Sequence, residues 1–346
     1  MDRPLRLLIA LLALLGSSSC RLRAGVAPSR HAAAGAQPVR PPVLYYLTFD
    51  NYGDSRLWRA DTLDRYPASM TPDGVSVTSF AVLPGGEVVY ATLDGIYRTR
   101  AGGEPQPLAL AGEERLVGEP DVSPDGRWIA YVQGGIRLLR ADGAEPPRLL
   151  TPPPPDETIH SPRWSPDGRY LLVRIVRRSG LQPLYRFGTV ALASGALTGI
   201  PETSGQAGQA TWTPDSRVVI ASERGLALYA LGDPAPRTLL AGRAVHAPLP
   251  RPDGRLLLLL PGAGGALQPH SLGIDGRGLR PESRQTYALV DPAWSPDGRY
   301  LVGLTSAQFS QRKGYSGTLQ VVDMATGRLI RPPQPGPAWA VRWGAG

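Results

Sequence analysis

A four-residue turn recurs down this chain at intervals that suit one kind of architecture. It reads Ser123-Pro124-Asp125-Gly126, Ser165-Pro166-Asp167-Gly168, Thr213-Pro214-Asp215-Ser216, Arg251-Pro252-Asp253-Gly254 and Ser295-Pro296-Asp297-Gly298, with a degenerate copy, Leu83-Pro84-Gly85-Gly86, ahead of them. The spacings of 40, 42, 48, 38 and 44 residues match the length of a propeller blade and are too irregular for a tightly stacked solenoid. Proline presets φ at the first central position of the turn, Asp accepts local backbone hydrogen bonds, and Gly takes the positive-φ position that closes it. Arg follows each of the five good copies (Arg127, Arg169, Arg217, Arg255, Arg299), and an apolar run follows the Arg. Such short runs between turn residues read as strands. A second strand, as in Ile136–Arg140, a third, as in Arg148–Leu150, and one before each turn, often ending in Trp (Trp164, Trp212, Trp294), make four strands per unit.

The blade count rests on the two ends. Val43–Phe49 and Arg56–Ala60 read as second and third strands with no first strand before them. Ala338–Trp343 reads as an inner strand with nothing after it. Joining them completes a seventh blade and leaves no open sheet edge. The expectation is therefore an all-β chain, a single β-propeller over residues 43–346 with seven four-stranded blades, six being the alternative. Thr71-Pro72-Asp73-Gly74 lies too close to Leu83 to start a blade of its own and is expected to lead into an inner strand, Val75–Val82. The 41 Gly and 37 Pro punctuate apolar strands and do not form a low-complexity tract, so the body is expected to be ordered.

Residues 1–19 differ. Arg3 and Arg6 precede the apolar stretch Leu7–Leu15, too short to span a bilayer, and Gly16-Ser17-Ser18-Ser19 leads to Cys20, the only cysteine. This is the pattern of a secretory leader. Small residues before a lone Cys resemble the lipobox of bacterial lipoproteins, in which that Cys becomes the acylated first residue, although Ser17 stands where an aliphatic residue is usual. Ordinary leader cleavage with a free thiol is the alternative. Residues 20–42, rich in Ala, Gly, Pro, Ser and Arg, then read as a flexible lipid-anchored tether. The expected location is extracytoplasmic, on a bacterial membrane.

The formal charge is +8, with Lys313 the only lysine. A basic balance raises the question of nucleic acid. An exported, anchored chain does not meet it, and the Arg residues are dispersed through one repeated slot that reads as structural, so no nucleic-acid partner is expected. Catalytic patterns are missing: Gly314-Tyr315-Ser316-Gly317 fails the nucleophile-elbow pattern at Thr318. His160 and His246 start inner strands and could face the channel, but three or four converging ligands are needed for a metal. No cofactor and no metal are implied.

The repeats resemble the WD40-like Pro-Asp repeats of TolB-type β-propellers, over residues 75–343. The resemblance implies the propeller fold. The family's functions range from TolB itself, a periplasmic adaptor, to the propellers that gate prolyl-oligopeptidase-type peptidases. The sequence departs from both by showing neither an α/β domain before the propeller nor a hydrolase domain. A non-enzymatic, membrane-anchored scaffold that binds an envelope protein or polymer, as a monomer, is the expected function. A propeller acting on a sugar or small molecule through channel carboxylates (Glu119, Asp121, Asp291) is the alternative, a hydrolase or lyase if it is an enzyme. The face opposite the Pro-Asp-Gly turns should carry the long loops, among them 176–183, 307–315 and 49–54. The partner-binding candidates there are Tyr52, Phe309, Arg312, Lys313 and Tyr315, expected to cluster, together with Arg177 and Arg178. Aromatic and Arg residues on loops over a rigid scaffold suit protein recognition. The turn residues themselves are assigned to structure: Pro124, Asp125, Gly126, Pro166, Asp167, Gly168, Pro214, Asp215, Pro252, Asp253, Gly254, Pro296, Asp297 and Gly298.

Overall fold

The computed structural model describes residues 42–49, 54–112, 118–179, 182–201, 208–310 and 314–344. The expectations about the leader, Cys20, the tether, Tyr52, Arg312 and Lys313 lie outside the described residues, as does the side chain of Arg178. Five four-stranded antiparallel sheets follow one another along the chain. Blade 1 is Ser79–Val82, Val88–Ala91, Gly95–Thr99 and Gln106–Leu110, and blade 2 is Gly118–Val122, Trp128–Val132, Ile136–Arg140 and Arg148–Thr151. Blade 3 is Glu157–Trp164, Tyr170–Ser179, Gln182–Ala191 and Leu197–Gly199. Blade 4 is Gln209–Trp212, Val218–Ser222, Gly225–Tyr229 and Arg237–Ala241, and blade 5 is His246–Pro250, Arg255–Pro261, Leu267–Gly273 and Arg280–Pro281. Blade 6 contains Val290–Trp294, Tyr300–Ser310, Gly314–Asp323 and Arg328–Ile330.

The last blade is shared between the chain ends. Ala338–Trp343 pairs antiparallel with Leu44–Phe49, which pairs with Ser55–Ala60 and then Ala68–Ser69. This is the strand exchange that the sequence implied, and it gives seven blades. One bridge, Gly317 to Ala338, ties blade 7 to blade 6.

The core explains the ring. Among the described residues there are seven buried apolar clusters, and each lies between two consecutive blades. Val89, Ile96, Ile129 and Leu139 join blades 1 and 2, for example, and Leu172, Phe187, Trp212 and Val218 join blades 3 and 4. Tyr45, Leu47, Leu57, Phe80 and Tyr90 join blade 7 back to blade 1. Each sheet is covered on both faces, so its second strand is apolar without alternation, and in Leu256–Leu260 every residue is buried.

The turns have the geometry their residues predict. Ser165 Oγ donates to Asp167 Oδ1 (2.5 Å) and accepts from Tyr170 N (2.9 Å), while Arg169 N donates to the same Asp oxygen (3.1 Å). The Ser123 and Ser295 turns repeat this set. The closing residue is left-handed throughout: Gly126 (φ 72), Gly168 (φ 69), Ser216 (φ 59), Gly254 (φ 75) and Gly298 (φ 70). In one place the structure corrects the expectation. The inner strand of blade 1 begins at Ser79, not Val75, because Val77 N is bonded to Ser55 O of blade 7 and its buried side chain belongs to the crossover between blades.

Candidate functional site

The seven inner strands line the centre of the ring, and five of them share a backbone irregularity. Glu119 (φ 54), Ser161 (φ 51), Ala247 (φ 45), Asp291 (φ 50) and Ala340 (φ 49) are left-handed non-glycine residues at the same place in five of them. Each marks a bulge in the pairing of an inner strand. Conformations of this kind cost energy and persist where surroundings enforce them. Here the enforcing contact is lateral. Ser79 Oγ accepts from Glu119 N (2.8 Å), Glu119 Oε2 accepts from Ser161 N, and Gln209 Oε1 accepts from Ala247 N (2.6 Å). A side chain on one blade thus holds the bulge of the next. In blades 3 and 6 a Trp three residues beyond the bulge bonds its indole to the preceding blade, Trp164 Nε1 to Asp121 O (3.1 Å) and Trp294 Nε1 to Ala247 O (2.9 Å); Trp212 Nε1 makes the same kind of bond to Arg163 O (2.9 Å) from an inner strand paired without a bulge.

These strands carry charged side chains. Arg163 Nη1 is 3.1 Å from Asp121 Oδ1, and the other Asp121 oxygen accepts from Trp164 N (2.9 Å). Glu119 lies 3.8 Å from His160 Nδ1. Arg342, on the closing strand, places its guanidinium over the Phe80 ring at 5.7 Å. Burial pulls Arg342 down to about 9, the Arg163 charge adds to that, and Asp121 and Glu119 oppose it. Desolvation by the surrounding protein also raises the carboxyl of Asp291, itself exposed to the channel, above its ordinary value. Of the three carboxylates expected near the channel, Asp121 and Glu119 are engaged by neighbouring backbone. His246 is half-buried at the start of its strand, and no group of three or more His, Cys, Asp or Glu among the described residues could hold a metal.

The sequence reading passed over Arg342, Arg174, Gln209 and Phe80. One signal was present: Glu119-Pro120, Ser161-Pro162, Ala247-Pro248 and Asp291-Pro292 recur a few residues before the turns, and they mark the bulged, channel-lining stretch.

On the face away from the Pro-Asp-Gly turns, the second and third strands of blades 3 and 6 run past the others as long hairpins. In blade 6, Phe309 and Tyr315 are cross-strand partners with ring centroids 5.1 Å apart, and both are exposed (66% and 47%). In blade 3, Arg177 and Leu184 are exposed cross-strand partners, and Arg174 lies 6.0 Å over the Tyr185 ring. Phe309 and Tyr315 thus meet on one hairpin. Arg177 stands three blades away and forms a separate element of the same face.

With this geometry in view, solved structures provide a comparison. TolB from Acinetobacter baumannii is 15% identical, with 87% of this chain and 66% of TolB covered and a TM-score of 0.52. The fold is that of the TolB-type propellers. An oligogalacturonate lyase in complex with manganese is 16% identical over 86% of each chain, with a TM-score of 0.61. A Mycobacterium tuberculosis puromycin-hydrolyzing peptidase is 16% identical over 84% of this chain and 52% of its own length, with a TM-score of 0.60. The chain thus spans 66% of that TolB and about half of the peptidase. No protein-family profile matches it, and no curated protein does. At these identities the TolB-type likeness concerns the fold, which hosts adaptors and enzymes alike.

Proposed function

We propose that this chain is a non-enzymatic binding protein, held outside the cytoplasm by a lipidated Cys20, that engages a protein or polymer partner with its hairpin face. The observation carrying this reading is the exposed Phe309–Tyr315 ring pair at the end of the blade 6 hairpin. Large aromatic side chains standing off a rigid sheet bury much area at small entropic cost when a partner covers them. The likeness to TolB, whose family includes a periplasmic adaptor, supports the same reading.

The double variant Phe309→Ser, Tyr315→Ser tests it. Both side chains are outside the core, so its unfolding midpoint should match that of the parent. It should fail to co-isolate from native membranes the partner that the parent retains. An unchanged partner in the folded double variant would overturn the reading. The anchor has its own test: Cys20→Ser should move the chain from the membrane fraction to the soluble one, and equal membrane retention would contradict lipidation.

A second reading places a sugar or small molecule in the channel. It is favoured by the likeness to a lyase propeller and by Glu119, Asp121 and Asp291 on inner strands. The commitment of Glu119 and Asp121 to backbone donors weakens it.

A further inference from the structure

The junction of blades 3 and 4 holds a cleft. Its volume is 190 Å³, and Ser161, Arg163, Arg174 and Gln209 supply its polar wall, with Leu172, Val173 and Phe187 as its apolar floor. We propose that this cleft binds a single carboxylate group, gripped by Arg163 and Arg174 and by the side-chain amide of Gln209.

Three observations lead there. Arg174 lines the cleft, and the one hydrogen bond its guanidinium makes among the described residues is a long contact from Nη2 to Gly208 O (3.5 Å). A guanidinium so placed has donors to give and costs free energy while they are unmet. Next, the oxygen of Gln209 is occupied by Ala247 N, so its NH₂ is the end left to donate. Finally, the charges do not balance. In the cleft itself Arg163 is paired with Asp121, while Arg174 has no carboxylate partner among the described residues, leaving one positive charge that a monoanion would cancel.

Size and charge choose the ligand. A cleft of 190 Å³ is smaller than sites for whole drug-sized ligands, so it takes a head group. A phosphate would bring close to two negative charges, whereas a carboxylate brings one and matches the planar Arg fork. That carboxylate can belong to a small free acid or to the end of a polypeptide. The site is separate from the hairpin tips and stands without them.

Isothermal titration of the folded, full-length protein with acetate, with Ala-Ala-Ala and with the C-terminal amide of the same tripeptide tests this. Acetate or the free-acid peptide should bind saturably and the amide should not. The tighter of the two acids identifies the source. Arg174→Gln should weaken binding at least about tenfold. Gln209→Glu should do the same while folding normally, because it keeps the acceptor for Ala247 N and blade 2 already carries Glu119 in that slot. No saturable binding of either acid, equal binding of the amide, or affinity unchanged in the folded Gln209→Glu variant would overturn the assignment.

Discussion

Two glycines separate backbone freedom from space. Gly168 (φ 69) closes a Pro-Asp-Gly turn with nothing near its missing Cβ, whereas a Cβ on Gly195 (φ 70) would lie 2.2 Å from Leu150 O of the preceding blade. Gly168→Ala should therefore cost about 1 kcal/mol, the price of a left-handed alanine. Gly195→Ala should cost about 2–3 kcal/mol more, because blades 2 and 3 must shift. Urea unfolding of both variants measures the difference, and equal midpoints would contradict the inter-blade contact. Asp291 makes a pH prediction. Its side chain is exposed to the channel, but the surrounding protein desolvates it and raises its pKa, so ionisation opposes folding; the opposition grows as pH rises from the unfolded value and is complete above the folded one. Asp291→Asn removes it, and Asn tolerates the left-handed backbone. The variant should have the higher urea midpoint at neutral pH, and the gap should close below the ordinary carboxylate pKa of about 3.9. No gap at neutral pH would show that channel water solvates Asp291 fully.

Among the elements, Ala338–Trp343 holds most of the ring's closure. Ala338, Val341 and Trp343 pack in the cluster between blades 6 and 7, while Trp339 and Ala340 pack in the one between blades 7 and 1. A chain ending at residue 337 should lose both at once, giving a broadened, low-midpoint transition by circular dichroism and dye binding to exposed apolar surface. A sharp transition at the parent midpoint would mean that the ring does not depend on this strand. The strand was readable in the sequence because Leu44–Phe49 and Ala338–Trp343 are strand-like runs whose turn partners are missing, and such a deficit is visible without coordinates. Arg342 within it was not readable as a channel residue. Its neighbours are Phe80, Asp121 and Arg163, far away in sequence, and only closing the ring brings them together. The Arg residues after the turns were legible for the opposite reason. They recur in one local slot, and Arg255 and Arg299 bond within their own blades, to Ser271 and Asp323.

At the scale of the molecule, the repeats build two unlike faces. The Pro-Asp-Gly turns are short and satisfied by their own Ser and Asp side chains, which leaves little for a partner to grip. The opposite face projects two long hairpins, one ending in exposed aromatic rings. Repetition made the turns legible, and departure from repetition made the long loops legible as candidates. What binds there is not written in either, because recognition depends on residues from blades that are distant in sequence. The direct measurement is photocrosslinking in native membranes, with a photoreactive residue at Tyr315 on the hairpin face and another at Arg169, exposed on the turn face. A discrete adduct from Tyr315 and none from Arg169 is the predicted result. Adducts from Arg169 alone, or none from Tyr315 in folded and membrane-bound protein, would contradict the hairpin face as the site of binding.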